Sequence, residues 1–325
     1  MGIRNEKFYG RAKETKVIDF LGKKKIFFIL SAVVIIAGFV TMGVHKGNGG
    51  DALNYSLEFK GGTSTSVEFN EDMSIEELDE KVVPIIEEIS KDANVQTQKV
   101  QGSNQVIFKS ATLDVSQREE LNSRLEEEFG VDPEKITAET ISSTISSEMR
   151  TGAVSAVVVS TVLMLLYVWF RFKDVRFGAS SVAALVHDVL VVLAFYAAAR
   201  VSVGNTFIAC MLTIVGYSIN ATIVIFDRIR ENMTSYKTKE ELAAIVNRSI
   251  SQTLSRSIFT SLTTFIMVAV LYILGVSSIK EFALPLMVGI ACGTYSSICL
   301  ASAFWYLLRT RVGGKKAEKN KKAAK

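Results

Sequence analysis

No G-x-x-x-x-G-K-[ST] phosphate loop occurs in the 325 residues, and the glycine-rich stretches "GNGG" and "VGGKK" precede no helix that could hold a phosphate. ATP hydrolysis by a P-loop is thereby excluded, and any work done here needs another energy source. Neither G-x-S-x-G nor H-E-x-x-H is present, so no hydrolase centre is marked and no enzyme is expected. Histidine is confined to His45 and His187, without the Cys/His spacing of a zinc site. Cys210, Cys292 and Cys299 all fall inside apolar runs, so no disulfide staples the long polar segment. No metal and no cofactor are expected.

What the chain has in abundance is apolar length. Hydrophobic residues make up 49% of it, and its mean hydropathy of +0.28 lies above the usual soluble range. Apolar segments recur at 26–44, 153–170, 177–199, 206–226, 258–276 and 282–308, each near the roughly 20 residues that cross a bilayer. Six transmembrane helices are expected. The first follows Lys23, Lys24 and Lys25 but is longer than a signal's apolar core and meets no small-x-small cleavage site, so it reads as retained.

Lys and Arg divide 25 to 12 between alternate sides of these spans, and ten of the 12 sit in the one long loop. The positive-inside rule weighs short loops, so both termini, residues 1–25 and 309–325, are expected in the cytoplasm, with the loop 227–257. The basic tail reads as a segment touching anionic membrane lipids, not nucleic acid.

Segment 45–150 then faces outward with 22 acidic against ten basic residues. "NYSLEFKGGTSTSVEF" reads as strand broken by Gly61 and Gly62. Ser74 to Glu77 reads as a capping box opening a helix that Pro84 kinks or breaks. Two strands joined at Gly102-Ser103, a helix opened by Ser116 to Glu119 and closed by Gly130, and a last strand "EKITAET" complete the order strand, helix, strand, strand, helix, strand. That is the order of a ferredoxin-like α+β domain.

Ionisable groups inside spans are few, and each costs about 2.5–3.5 kcal/mol at a helix centre, so they are the candidate site. His187 and Asp188 lie mid-span, with Asp188 on the face of Ser181 and Ala184. Asp188 reads either as a polar clamp between helices or as a proton relay. In "GYSINATIVIFDRIREN", Tyr217, Asn220 and Ala221 share a face, and Thr253, Arg256, Ser257, Thr260, Ser261 and Thr264 form a hydroxyl stripe on the next span. Such stripes are either bundle glue or the walls of a hydrated path. Gly289 and Gly293 form a G-x-x-x-G, consistent with close helix packing.

"LTIVGYSINATIVIFDRIREN", "LVHDVLVVL", "QTLSRSIFTSLTTF" and "EFKGGT" together closely resemble the SecD/SecF family, and within it the F-type subunits of the bacterial Sec protein-export translocase. The resemblance covers nearly the whole chain. It implies an RND-superfamily half-unit in the cytoplasmic membrane, paired with a SecD-like subunit, that assists late preprotein translocation with the proton motive force. The implied partners are the SecY/SecE/SecG channel, YajC and YidC, the translocating preprotein and membrane lipids.

Two positions depart from the family pattern. Glu58, Gly61 and Gly62 keep the acid and the glycines of its Asp-Phe-Thr-Gly-Gly motif, but Lys60 replaces Thr. Ala221 stands where the family has its intramembrane Asp, so Arg256 lacks the carboxylate it would answer. Three readings follow: the partner's carboxylate carries the coupling, Asp188 substitutes, or the coupling is weak or uses another ion. The first is favoured. A non-transducing assembly subunit and an RND-type small-molecule exporter half are the alternatives.

Overall fold

The structure, a computed structural model, describes residues 17–310 except 94, 101, 173 and 234–237. The basic tail, and the N-terminus up to Lys16, lie outside the described residues. Six helices are long and apolar enough to cross a membrane: α1 (Lys24–Gly47), α6 (Ser143–Phe172), α7 (Val175–Ala199), α8 (Asn205–Asn232), α9 (Lys239–Leu274) and α10, which runs Ser277–Tyr295 and continues through a π-helical turn, Ser296–Ala301, to Thr310.

The helices outrun the apolar runs that announced them. At 1.5 Å per residue, the 36 residues of α9 extend about 54 Å, well beyond a hydrocarbon core of roughly 30 Å. Most of the segment 227–257 expected as a loop is therefore helix. Thr238 caps α9 by accepting from the Glu241 N–H at 3.1 Å, and Glu240 and Glu241 oppose the dipole in its first turn. The extension buries Leu242, Val246 and Ile250 in the core at this end of the bundle. Asn247 also holds the chain ahead of α1: its Oδ1 accepts from the N–H groups of Phe20 and Leu21 at 3.2 and 3.0 Å, and its Nδ2 donates to Asp19 at 2.8 Å.

Between α1 and α6 lies the sheet domain. Its strands β1 (Gly62–Glu68), β2 (Gln96–Lys99), β3 (Gln105–Ser110) and β4 (Ile136–Ile141) pair antiparallel in the order β2-β3-β1-β4. With α3 (Ile75–Lys81), α4 (Val83–Ser90) and α5 (Val115–Phe129) interleaved, this is the ferredoxin-like topology the strand order announced. Val67, Val106, Phe108 and Ile136 of the sheet meet Leu78, Ile86, Leu121 and Leu125 of the helices. Each such side chain, buried completely, contributes about 1.5–3 kcal/mol. The other face carries Ser64, Ser66, Gln98 and Lys109, the alternate residues of the same strands.

Local chemistry explains the breaks. Ser74 and Glu77 form a reciprocal capping box on α3. Ser74→Ala will lower the sheet domain's stability by about 1 kcal/mol, read as a shifted thermal midpoint. Pro84 lacks an N–H and sits in the first turn of α4, so the helix breaks at Val82 instead of kinking. The cap of α5 is Asp114 with Gln117, not the expected Ser116 with Glu119. Backbone and hydroxyl donors, the Gln117 N–H foremost, hold the Asp114 carboxyl below its usual range, so this cap persists as pH falls through the ordinary carboxylate range and is lost only below it.

One expected strand is absent. Leu57–Lys60 forms a single helical turn, α2, because Gly61 (φ +77°) and Gly62 (φ +122°) turn the chain sharply into β1. The segment before it is fastened to the α7–α8 connection. Ser56 N–H donates to the Val203 carbonyl at 3.0 Å, Val203 N–H to that of Asn54 at 2.7 Å, and Arg200 Nη1 to that of Asp51 at 3.0 Å.

Candidate functional site

Asp188 is 1% exposed and sits in the seam between α7, α8 and α10. Small residues let these helices approach: Gly289 packs on Ile214 and Gly293 on Ser218. Every donor that reaches the carboxylate except His187 comes from another helix. Ser218 and Ser296 hydroxyls donate to Oδ2 at 2.5 and 2.8 Å, and the Cys292 thiol to Oδ1 at 3.3 Å. His187 Nδ1 lies 3.0 Å from Oδ1, and its Nε2 is buried without a partner. Ser181, which shares the Asp188 face, bonds its own helix at the Phe177 carbonyl.

The π-helical turn explains how α10 serves two neighbours at once. It shifts the register of the helix by one residue. Ser296 then reaches Asp188 while Ser297 bonds the Thr222 hydroxyl at 2.9 Å and the Ser218 carbonyl at 3.2 Å. Polar contacts thus continue from Asp188 along α8, through the Ser218 hydroxyl and carbonyl to the Ser297 and Thr222 hydroxyls. His187, Asp188 and Cys292 also lie close enough to hold a metal ion. His187 and Cys292 both reach Asp188 Oδ1, and the Cys292 thiol also lies 3.9 Å from His187 Nδ1, so the three are assigned as a hydrogen-bonded group.

The expected hydroxyl stripe of α9 divides in two. Thr253, Ser257 and Ser261 are buried, whereas Arg256 and Thr260 are exposed. Thr264 is half-buried and returns its hydroxyl to the Thr260 carbonyl at 3.1 Å. On α8, Tyr217 packs against the apolar core, Ala221 is half-buried and Asn220 is exposed. Asn220 lies about 23 Å along α8 from Asn205, and Arg256 about 27 Å along α9 from Leu274, so the two stand at a similar depth on adjacent helices. No hydrogen bond joins Tyr217 or Asn220 to α9 among the described residues. The helices are tied instead at the charged exit of α8, where Arg228 Nε donates to Gln252 at 2.7 Å and Asn232 to Ser249 and Gln252 at 2.9 and 2.8 Å. Asp227 pairs with Arg171 of α6 at 2.8 Å.

Glu58 has a distinct place. Its Oε2 accepts from the Asn205 N–H at 2.7 Å, at the N-terminus of α8, where a carboxylate opposes the positive end of the helix dipole. Gly204 is required there, since a Cβ would overlap Ser56 and Glu58. Gly61 and Gly62 supply the turn above it.

Six membrane helices, one ferredoxin-like domain after the first of them, and polar groups gathered on α7 to α10 define a polytopic membrane protein of half-transporter type. The family model "Protein export membrane protein SecD/SecF, C-terminal" matches residues 121–311. The chain is 36% identical to "Protein translocase subunit SecF" of Sebaldella termitidis, over 94% of this chain and 96% of that one. It is 34% identical to "Protein translocase subunit SecDF" of Bacillus subtilis, over 90% of this chain but 38% of that one. The crystal structure of SecDF from Thermus thermophilus, a translocon-associated membrane protein, superposes with a TM-score of 0.74 at 35% identity, covering 90% of this chain and 39% of that chain. The chain thus spans less than half the length of the SecDF proteins it matches. It belongs to the SecD/SecF family, and is a multi-pass protein of the bacterial cytoplasmic membrane.

Sequence reasoning passed over Ser218, Cys292, Ser296 and Ser297. Ser218 lies inside "GYSINATIVIFDRIREN", and adjacent serines in a span were the available signal for Ser296 and Ser297, whereas nothing marked Cys292 beyond its place in an apolar run.

Proposed function

We propose that this protein is an accessory subunit of the Sec translocase that, with a SecD-like partner half, assists late preprotein translocation using the proton motive force. One observation carries the coupling part: Asn220, Arg256 and Thr260 form an exposed polar face on two spans. Polar side chains facing hydrocarbon are unfavourable, and a charged one more so, which supports a partner covering this face. The coupling carboxylate is the partner's, and Arg256 answers it across the interface. Within this half, Asp188 and His187 tie α7, α8 and α10 together, and Ala221 has no proton to give.

The sheet domain is extracytoplasmic and both termini cytoplasmic, a reading supported by the basic residues of the short loops. On that side, SecY/SecE/SecG and the emerging preprotein are its neighbours, and YajC and YidC complete the assembly. The SecD-like half corresponds to the part of the longer SecDF proteins that this chain does not cover. A scaffold without transduction and an exporter half remain the competing functions. Copurification with SecY separates the latter.

Ala221→Asp tests the coupling assignment. Ala221 is half-buried on α8, between the buried Ser218 one turn earlier and the exposed Asn220, so an added carboxylate stands at the rim of the exposed side of α8 within this half. Export into reconstituted vesicles will become more dependent on the imposed proton gradient, with the gradient-free rate unchanged. An unaltered gradient dependence would show that position 221 does not face the path on which the partner's carboxylate couples.

A further inference from the structure

Between the uncovered face of the sheet and the end of the bundle lies a cleft of about 1010 Å³. Five charged residues line it, Lys99, Lys109, Arg200, Lys280 and Glu281, but the Lys99 side chain turns to the helix-covered face, which leaves three cations against one anion. This runs opposite to the domain as a whole, with its 22 acidic and ten basic residues between 45 and 150. Lys99 is already paired with Asp72. Arg200 spends one N–H on the Asp51 carbonyl, a neutral acceptor. Lys109 donates to Gln98 at 3.1 Å, and Gln98 reaches Glu281 at 3.5 Å across the cleft.

The position of the cleft says what kind of anion it takes. Arg200 ends α7, Tyr272 lies in the last turn of α9 and Lys280 in the first turns of α10, so the cleft opens at the level where the spans leave the bilayer. Around it, Ile273 is 69%, Leu274 80% and Val276 67% exposed. A cationic cleft continuous with an exposed apolar ridge matches a molecule with an anionic head and hydrocarbon tails. Extended peptide would find the charges but leave the ridge uncovered.

We infer that this cleft is a binding site for the headgroup of an anionic phospholipid, held by Lys109, Arg200 and Lys280, with its acyl chains on Ile273, Leu274 and Val276. Burial holds the Lys109 amine below its usual range and Glu281 pulls it back up, so an added phosphate favours the charged form. The inference requires only that the six helices span a bilayer, and is independent of where coupling resides.

The test is native mass spectrometry of the full chain released from bilayer discs of mixed phosphatidylglycerol and phosphatidylcholine. Phosphatidylglycerol will be retained preferentially, and Lys109→Gln with Lys280→Gln will weaken its retention about fivefold for each cation removed. The pair Lys81→Gln with Lys135→Gln, equal in charge change and exposed on the sheet domain outside the cleft, will leave retention as it was. Equal retention of the two lipids, or an unaltered profile in Lys109→Gln/Lys280→Gln, overturns the inference. Inorganic phosphate that displaces the lipid completely would make this a free-anion site. A soluble polyglutamate peptide bound where phosphatidylglycerol is not would make it a polypeptide site. Unchanged thermal midpoints for both double variants show that the cleft still folds.

Discussion

Arg256→Gln will reduce the proton-gradient-dependent part of export by about tenfold or more, the effect of losing roughly 1.4 kcal/mol of coupling, while Asp188→Asn will leave most of it intact. The contrast follows from exposure. Arg256 is exposed one turn from the exposed Thr260 on α9, and Asn220 is exposed at a similar depth on the adjacent α8, so a carboxylate of another subunit can reach Arg256. Glutamine keeps much of its length but no charge. Arg256→Lys restores the charge without the planar fork and will recover part of the activity. Asp188 is sealed among Ser218, Cys292 and Ser296. Asparagine keeps an acceptor for the two hydroxyls and turns its amide N–H toward His187 Nδ1, so the three helices stay joined. Export into inverted vesicles, with and without an imposed gradient, checks both variants. Collapse of gradient-driven export in Asp188→Asn with a normal Arg256→Gln would move coupling to the buried carboxylate.

Gly62→Ala will destabilise the sheet domain by about 3 kcal/mol or more, a large share of the roughly 5–15 kcal/mol that holds a domain folded. Two effects add. Gly62 has φ +122°, which L side chains rarely adopt, and a Cβ there would overlap the carbonyl oxygen of Ser110 on the paired strand. Backbone in a sheet cannot move aside as a side chain can. Gly102→Ala is the control: it also has positive φ, at +82°, but nothing lies within 4 Å of its added Cβ. That substitution will cost only the conformational part, about 1 kcal/mol. Thermal unfolding followed by protease susceptibility of residues 62–141 separates the two, and similar losses for both would assign the effect to backbone conformation alone.

Features written in neighbouring residues were legible in the sequence. Ser74 and Glu77, three apart, announced their capping box, and Pro84 announced a break. The same local pattern misled at Ser116 and Glu119, because Asp114 and Gln117 offered a competing cap two residues earlier. Leu57–Lys60 alternated like a strand, but the glycine pair beyond it imposed a turn that periodicity does not register. Span extension at α9 was hidden because apolar content marks where lipid begins, whereas the helix continues on Leu242, Val246 and Ile250.

The site divides along the same line. Asp188 stood out because a carboxylate inside an apolar run is rare. Its partners did not, since Ser218, Cys292 and Ser296 are 30 to 108 residues away and meet it only when three helices pack. The exposure of Arg256 and Thr260, against the burial of Ser257 and Ser261, depends on the rotation of α9 in the bundle. A stripe read from hydroxyl spacing alone could not reveal that division.

The sheet domain is joined to the bundle by two covalent crossings, at Gly61-Gly62 and at Ile141 to Ser143, and they run side by side. A Cβ on Gly61 would come within 3.1 Å of Ser146 Oγ and 3.4 Å of the Ile141 carbonyl oxygen. Two crossings this close place the covalent hinge of the domain on one short line, and Gln98 reaching Glu281 adds a tie between the sheet and α10. Glu58, three residues from Gly61, is bonded to the first N–H of α8. The N-terminus of α8 is therefore tied to the covalent root of the domain and not to its sheet.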